Sequence, residues 1–123
     1  DKESVSFSGA QSYVEKRLEE TFSWQAARVE EGAGLSRANR LSAYQIDELL
    51  RVLEPYKQTF SQVANTGGAT VYAKTGTLEN VSNYAGYIEF PGRQYRFVFM
   101  FNRDTPYRYR DDMLELLLRQ LPQ

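Results

Sequence analysis

The residues best suited to chemistry in this 123-residue chain form one short run, Lys74-Thr75-Gly76-Thr77-Leu78. The Lys74 ammonium can pair with a carboxylate, and the hydroxyls of Thr75 and Thr77 can donate hydrogen bonds to the same group. Gly76 has no side chain, so an extended ligand could lie against the strand and pair with its backbone. Taken alone, such a run is more often a solvated strand lysine followed by an ordinary strand-forming threonine, so its chemistry depends on what accompanies it.

The amino-acid composition excludes several other kinds of chemistry. Cysteine and histidine are both absent, which removes disulfide frameworks, thiol catalysis, Ser-His-Asp triads and zinc sites built on Cys or His. A serine hydrolase made from these residues would need lysine or a carboxylate as its base. The formal net charge of −1 gives no overall field that would attract nucleic acid. We expect no nucleic-acid partner, no metal and no cofactor.

Two amphipathic helices are predicted in the first half of the chain. Ser12-Tyr13-Val14-Glu15 has the capping-box form and predicts a helix through about Glu20. Ser42-Ala43-Tyr44-Gln45 has the same form and predicts a second helix, which Pro55 ends. Residues 31–39, with two glycines and a serine, indicate a loop between the two helices. The apolar face of the second helix consists of Ile46, Leu49, Leu50 and Leu53.

The second half of the chain changes to the period of β-strands. Gly67-Gly68 marks a loop, and the residues from Thr70 to Thr77 are rich in strand formers. Two further strands, Tyr84 to Phe90 and Gln94 to Asn102, flank a Pro91-Gly92-Arg93 turn and predict an antiparallel hairpin. In the last strand, alternate aromatic residues predict one shared face: Tyr95, Phe97, Phe99 and Phe101.

A third helix is predicted near the end of the chain, capped by Asp104-Thr105-Pro106. Its apolar side contains Met113, Leu114, Leu117, Leu118 and Leu121. Arg108 and Arg110 are predicted to form a solvated face. The predicted fold is α+β, in the order helix, helix, three strands of an antiparallel sheet, helix.

Two segments of the chain together resemble one enzyme family. Gly32-Ala33-Gly34-Leu35-Ser36-Arg37-Ala38-Asn39-Arg40-Leu41-Ser42-Ala43 resembles a loop of the D-alanyl-D-alanine carboxypeptidases among the class C penicillin-binding proteins. The Lys74-Thr75-Gly76 strand, followed by Val81-Ser82-Asn83-Tyr84-Ala85-Gly86-Tyr87, resembles the same family in the same order. Glu31 and Ala33 depart from the Asp and Ser that are usual in the family loop, so we carry no catalytic role over to that loop.

The resemblance implies a transpeptidase-like, β-lactamase-like domain, of which residues 1–123 would be a single partial domain, the C-terminal part. It implies catalytic roles for Lys74, whose charge favours the neighbouring catalytic groups, and for Thr77, whose N–H would be one of two oxyanion-hole donors. It implies substrate-binding roles for Thr75, Gly76 and Leu78. We interpret Ser36, Arg37 and Asn39 as structural residues of the loop.

The nucleophile of the family is missing from the sequence. The family carries it in Ser-x-x-Lys and has a second motif, Ser-x-Asn, but none of the serines here is followed by lysine at the third or asparagine at the second position. The chain also begins at Asp1 rather than at a methionine. We therefore expect a C-terminal fragment that is inactive alone, because the acylated serine would lie outside it.

The resemblance implies a periplasmic or otherwise extracytoplasmic serine-type hydrolase that removes the terminal D-Ala of peptidoglycan stem peptides through an acyl-enzyme. Its partners would be stem peptides ending in D-Ala-D-Ala and β-lactam antibiotics. Two alternatives remain: a non-catalytic module that binds peptidoglycan peptides, and a related β-lactamase-type enzyme. The resemblance also implies that N-terminal strands absent here flank the strand from Gln94 to Asn102, so its edge would be uncovered and self-association is expected.

Overall fold

The computed structural model describes residues 6–24, 28, 29, 37, 39–106 and 108–122. The chain forms two compact units, Asp1–Gln45 and Ile46–Gln123. The predicted loop at residues 31–39 falls mostly outside the described residues. No helix within the described ranges has both the length and the apolar character that crossing a membrane requires.

The first helix, α1, spans Phe7–Phe22 and begins earlier than the sequence predicted. The Ser6 hydroxyl caps it by accepting a hydrogen bond of 3.0 Å from the Gly9 N–H. The predicted capping box at Ser12 is therefore wrong, since Ser12 lies inside the helix. Its intended partner, Glu15, instead accepts a hydrogen bond of 3.0 Å from the Val29 N–H. Ser12 and Glu15 have the sequence spacing of a capping box, but the helix begins after Ser6 instead.

The second helix, α2, spans Ala43–Leu53, and its predicted capping box is confirmed. The Gln45 N–H donates to the Ser42 hydroxyl at 3.1 Å, and the Ser42 N–H donates to the Gln45 side-chain oxygen at 2.8 Å. A 3₁₀ turn, Glu54–Thr59, follows at once. Pro55 has no N–H to continue the α-helix, so the predicted stop at this proline is also confirmed.

The sheet has four antiparallel strands instead of the predicted three. The strands are β1 (Ser61–Thr66), β2 (Ala69–Leu78), β3 (Val81–Phe90) and β4 (Arg93–Phe101), and they lie in the order β1-β2-β3-β4. The overlooked strand, β1, is mostly polar and exposed, so it lacks the apolar alternation that reveals a strand in sequence. The predicted loop at Gly67 and Gly68, at φ +60° and +84°, is a two-residue hairpin turn between β1 and β2.

The last helix, α3, spans Tyr109–Gln120. The predicted cap at Asp104-Thr105-Pro106 is wrong, because Arg108 is the N-cap and makes no side-chain capping bond. A turn comes first, in which the Tyr109 N–H donates to the Pro106 carbonyl oxygen at 2.9 Å. Asp111 and Asp112 lie in the first turn of the helix, where carboxylates interact favourably with its dipole.

The hydrophobic core lies between one face of the sheet and α3. Leu114 is buried in this core, and Leu117, Leu118 and Leu121 pack against it, as the helical spacing predicted. The sheet contributes Ala69, Val71, Ala73, Tyr84, Ile88, Phe90 and Phe97.

The opposite face of the sheet contacts α2. The fully buried Tyr87 donates its hydroxyl proton to the Leu50 carbonyl oxygen, and Arg96 pairs with Asp47. The predicted α+β class is therefore confirmed, with helices on both faces of the sheet.

Candidate functional site

The Lys-Thr-Gly run occupies the half of β2 that is paired on one side only. The pairing of β1 with β2 covers Ala69 to Ala73 and ends at the pair Ser61–Ala73. The pairing with β3 continues to Leu78. Among the described residues, no strand lies beside Lys74–Leu78 on the side away from β3. We call this stretch the open edge of β2.

The hairpin register determines which backbone groups face the open edge. Leu78 and Val81 flank a two-residue turn, so they form a hydrogen-bonded pair. Bonding direction alternates along an antiparallel strand, so Gly76 also bonds towards β3, and Thr75 and Thr77 point the other way. Counting from the two-residue turn between β1 and β2 gives the same bonding direction for each residue of β2. The N–H and C=O groups of Thr75 and Thr77 therefore face the open edge.

The side chains of the run place an ammonium beside this edge. The exposed Lys74 donates from Nζ to the Thr75 carbonyl oxygen at 2.7 Å, which brings its charge to the edge. Successive side chains of a strand lie on opposite faces, so Lys74 lies on the α2 face and Thr75 and Thr77 lie on the α3 face. Leu78 is half-buried at the end of the strand.

The two glycines next to this region differ in what surrounds them. A Cβ on Gly76 would lie 3.7 Å from the Cβ of Asn83, which is ordinary van der Waals contact. A Cβ on Gly86 would lie 2.0 Å from the Tyr72 carbonyl oxygen. The fold therefore requires glycine at position 86, whereas it does not require glycine at position 76.

Arg110 is a candidate site residue that the sequence did not reveal. It was predicted to be solvated, but only 7% of its surface is exposed. One guanidinium nitrogen, Nη1, donates to Thr77 Oγ1 at 2.8 Å and to Ser82 Oγ at 3.3 Å. Thr77 and Ser82 are cross-strand partners, so one side chain contacts both hydroxyls of the pair. Position 110 lies one turn before Leu114 on the apolar face of α3, and this spacing was the signal in the sequence that Arg110 would be buried.

Tyr84 lies beside Arg110 in the buried layer. The guanidinium carbon of Arg110 is 5.9 Å from the centre of the Tyr84 ring, within cation–π range. Burial, with a further contribution from the negative charge of Asp111, raises the pKa of Tyr84 to about 12. The phenol is therefore neutral across the physiological range and contributes packing instead of charge.

A cavity of about 340 Å³ adjoins Thr77 at the end of the β2–β3 hairpin. Arg110 and Arg103 line it together with Asp104 and Glu79, so charges of both signs face the space. Within the described ranges, no three acidic side chains come close enough together to hold a metal ion.

Comparison with known families assigns the chain. The family described as D-Ala-D-Ala carboxypeptidase 3 (S13) matches residues 55–120, more than half of the sequence. This chain belongs to that family. No curated protein matches it. Membership confirms the resemblance seen in the sequence and implies a carboxypeptidase of the cell wall that acts on peptidoglycan peptides outside the cytoplasm.

The matched region contains all four strands and α3, and therefore the whole Lys74–Leu78 run and Arg110. The loop at Gly32 to Ala43, which also resembled the family in sequence, lies before the match. Ser36 falls outside the described residues, and Arg37 and Asn39 belong to the first compact unit. The structural role predicted for these three residues stays a prediction.

Proposed function

We propose that this chain is the substrate-holding part of a serine-type D-Ala-D-Ala carboxypeptidase, and that a peptidoglycan stem peptide binds along the open edge of β2. The observation that supports the proposal is the end of the β1 pairing at Ala73, immediately before the Lys-Thr-Gly run. An extended peptide can add there as a strand, with main-chain hydrogen bonds to Thr75 and Thr77.

The proposed roles follow the geometry of the edge. The terminal D-Ala carboxylate pairs with the Lys74 ammonium and accepts hydrogen bonds from the hydroxyls of Thr75 and Thr77. The Lys74 charge also favours the neighbouring catalytic groups. Gly76 leaves room for the peptide, and Leu78 contacts its terminal side chain. The Thr77 N–H faces the edge and donates to the oxyanion of the tetrahedral intermediate.

The nucleophile in this proposal comes from outside the 123 residues, since the sequence contains no Ser-x-x-Lys. The serine attacks the scissile carbonyl, forms an acyl-enzyme and releases D-Ala, and its own N–H is the second oxyanion donor. Losing one oxyanion donor typically costs about a hundred- to thousandfold in rate, and losing the nucleophile removes this path altogether. The chain alone is therefore inactive. The intact enzyme is acylated by β-lactams in the periplasm or another extracytoplasmic space.

Covalent labelling with a fluorescent penicillin tests the proposal. The 123-residue chain should give no labelled band, whereas the product of the complete reading frame should be labelled at its serine. A labelled band at the mass of the short chain, abolished by prior denaturation, would contradict the assignment of the nucleophile.

Binding at the edge can be tested without catalysis. Titration of the ¹⁵N-labelled chain with Nα-acetyl-D-Ala-D-Ala should shift the amide signals of Thr75, Gly76 and Thr77. The L-Ala-L-Ala peptide is the matched control. Equal shifts with both peptides, or shifts elsewhere only, would contradict a D-Ala site on this strand.

A non-catalytic module that binds peptidoglycan peptides is the second candidate, favoured by the missing Ser-x-x-Lys motif. The open edge would bind peptide in the same way in such a module. The two candidates differ in the complete reading frame: a Ser-x-x-Lys motif in the same polypeptide excludes the module.

We also propose that the chain self-associates through β4, which ends the strand order of the sheet. Phe90 and Arg93 flank a two-residue turn, so alternation points Val98 away from β3. Val98→Pro would remove an outward N–H without removing a bond to β3. Sedimentation should show that the wild type associates and that the Val98→Pro variant associates more weakly. A wild type that stays monomeric at all concentrations would contradict the proposed self-association.

A further inference from the structure

The guanidinium of Arg110 contacts the side chain of Thr77, one of the two residues whose backbone faces the open edge of β2. It reaches from the first turn of α3 to the hydroxyls of Thr77 and Ser82 and to the Asn83 carbonyl oxygen, the last at 3.5 Å. Leu114, one turn later and 5% exposed, anchors the helix in the core and so fixes the starting point of the side chain. Arginine at this position is held by packing and by hydrogen bonds.

The contact makes the Thr77 hydroxyl the acceptor of this bond. A guanidinium has only N–H donors, so Thr77 Oγ1 must accept the hydrogen bond of 2.8 Å from Arg110. A threonine hydroxyl has a single proton, which cannot be used in that bond. The proton of Thr77 is therefore left to donate to another group. Hydrogen bonds in such a chain also polarise one another, which strengthens the second donor.

The same contact brings a positive charge close to the edge. The Arg110 charge lies in a mostly buried layer, where it is screened less than a charge in water. Lys74 lies on the opposite face of β2 from Arg110, so a ligand at the open edge would have one cationic group on each face of the strand beside it. An anionic group on the ligand would be favoured by both of these charges and opposed by Glu79 and Asp104, which line the cavity beside Thr77.

We propose that Arg110 is a positioning residue that acts through Thr77: it orients the Thr77 hydroxyl as a donor towards the open edge and so selects ligands with a free C-terminal carboxylate. The inference rests on the proposed function, because it assigns a determinant of specificity to the same strand. Arg110 does not touch the scissile bond. Its effect is on the preference for peptide acids over peptide amides.

Titration of the labelled chain with Nα-acetyl-D-Ala-D-Ala and with the C-terminal amide of the same peptide tests the inference. The wild type should bind the acid more tightly, and Arg110→Met should reduce that preference about tenfold or more, the loss expected for a hydrogen bond to a charged group. Arg110→Lys should restore part of it. The control is Arg108→Met, an exposed arginine two residues earlier.

The outcomes separate the two levels of the proposal. No response of Thr75 to Thr77 in the wild type overturns the proposed function and the inference with it. If the wild type responds and Arg110→Met keeps the same preference for the acid over the amide, the inference is overturned and the proposed function stands.

A measurement without ligand covers the case in which Arg110→Met does not fold. The guanidinium N–H signals of Arg110 should move in Thr77→Val and stay nearly unchanged in Thr77→Ser, which keeps the hydroxyl. Unchanged signals in Thr77→Val would overturn the inference.

Discussion

Along β2, the residues from Ala69 to Ala73 have strands on both sides, whereas Lys74 to Leu78 pair with β3 alone within the described part of the chain. Ala69, Val71 and Ala73 are buried in the core, but Lys74, Gly76 and Thr77 are exposed. One continuous strand thus has a closed half and an open half, and the boundary lies where β1 begins at Ser61. The closed half holds the backbone in place, and the open half presents that backbone to a ligand.

The glycines of the two halves show the same difference. Gly86 lies opposite Ala73 in the closed half, and Gly76 lies opposite Asn83 in the open half. Added methyl groups would meet a backbone atom at 2.0 Å in the first case and a side chain at 3.7 Å in the second. Packing therefore explains the glycine at position 86, whereas the glycine at position 76 needs another explanation.

The largest effect is expected for Gly86→Ala. Its methyl group would overlap the Tyr72 carbonyl oxygen, and this backbone atom cannot move without breaking the pairing of β2 with β3. We expect a loss of more than about 4 kcal/mol in the free energy of unfolding, the range reserved for a few severe mechanisms. Urea denaturation measures it. A variant that unfolds within about 1 kcal/mol of the wild type would show that the strands can separate locally.

Hydrogen exchange should separate the two halves at single residues. The Thr75 and Thr77 amides face the open edge, while those of Lys74 and Gly76 bond to β3. Exchange should therefore alternate along the open half, with slow positions at 74 and 76 and fast ones at 75 and 77. The Val71 and Ala73 amides, which face β1, are the internal control and should exchange slowly. Uniform protection from 74 to 77 would mean that another strand covers the edge.

Gly76→Ala should change the stability little and the binding more. The new methyl group makes ordinary van der Waals contact with Asn83, and alanine loses less entropy than glycine on folding, so we expect a change within about 1 kcal/mol. The affinity for Nα-acetyl-D-Ala-D-Ala should fall, because the peptide would no longer lie as close to the strand. Gly86→Ala is the matched substitution on the closed half. A large loss of stability in Gly76→Ala would remove the distinction between the two glycines.

Local signals in the sequence located the helices, although the capping signals at Ser12 and Asp104 were wrong. The capping box at Ser42, the stop at Pro55 and the apolar stripe of α3 depend on neighbours within one or two turns, and each was predicted correctly. The strand β1 was missed because its residues are polar and its existence depends on pairing with β2. Tertiary pairing decides such a strand, and pairing between distant residues leaves no local pattern.

The candidate site shows the same division. The Lys74–Leu78 run could be identified from residue types and family resemblance, but the open edge could not, because it depends on where β1 stops. Arg110 was assigned to solvent since charged residues are seldom buried without a partner. Its partners, Thr77 and Ser82, lie on two strands far from it in sequence, and no spacing rule connects them.

The smallest expected effect on stability concerns the ion pair between Asp47 on α2 and Arg96 on β4. Arg96 donates to Asp47 through Nε at 2.8 Å and Nη2 at 3.2 Å, and these bonds hold the pKa of Asp47 below its usual value. A lowered pKa in the folded state gives stability that is present above the unfolded pKa and is lost as pH falls through the folded one. More than a third of the Asp47 side chain is exposed, so solvent screening limits the gain to below about 1 kcal/mol.

Unfolding free energies of the wild type and Asp47→Asn between about pH 2 and 7 measure this contribution, since that range spans the carboxylate pKa. The two proteins should differ near neutral pH and converge in acid. Glu115→Gln, in a more exposed pair with Arg119, should show a smaller difference still. Parallel pH curves for the wild type and Asp47→Asn would mean that the pair adds nothing measurable. The contact between α2 and the sheet would then depend on the burial of Tyr87 and Leu50 and on their hydrogen bond, and not on the Arg96–Asp47 pair.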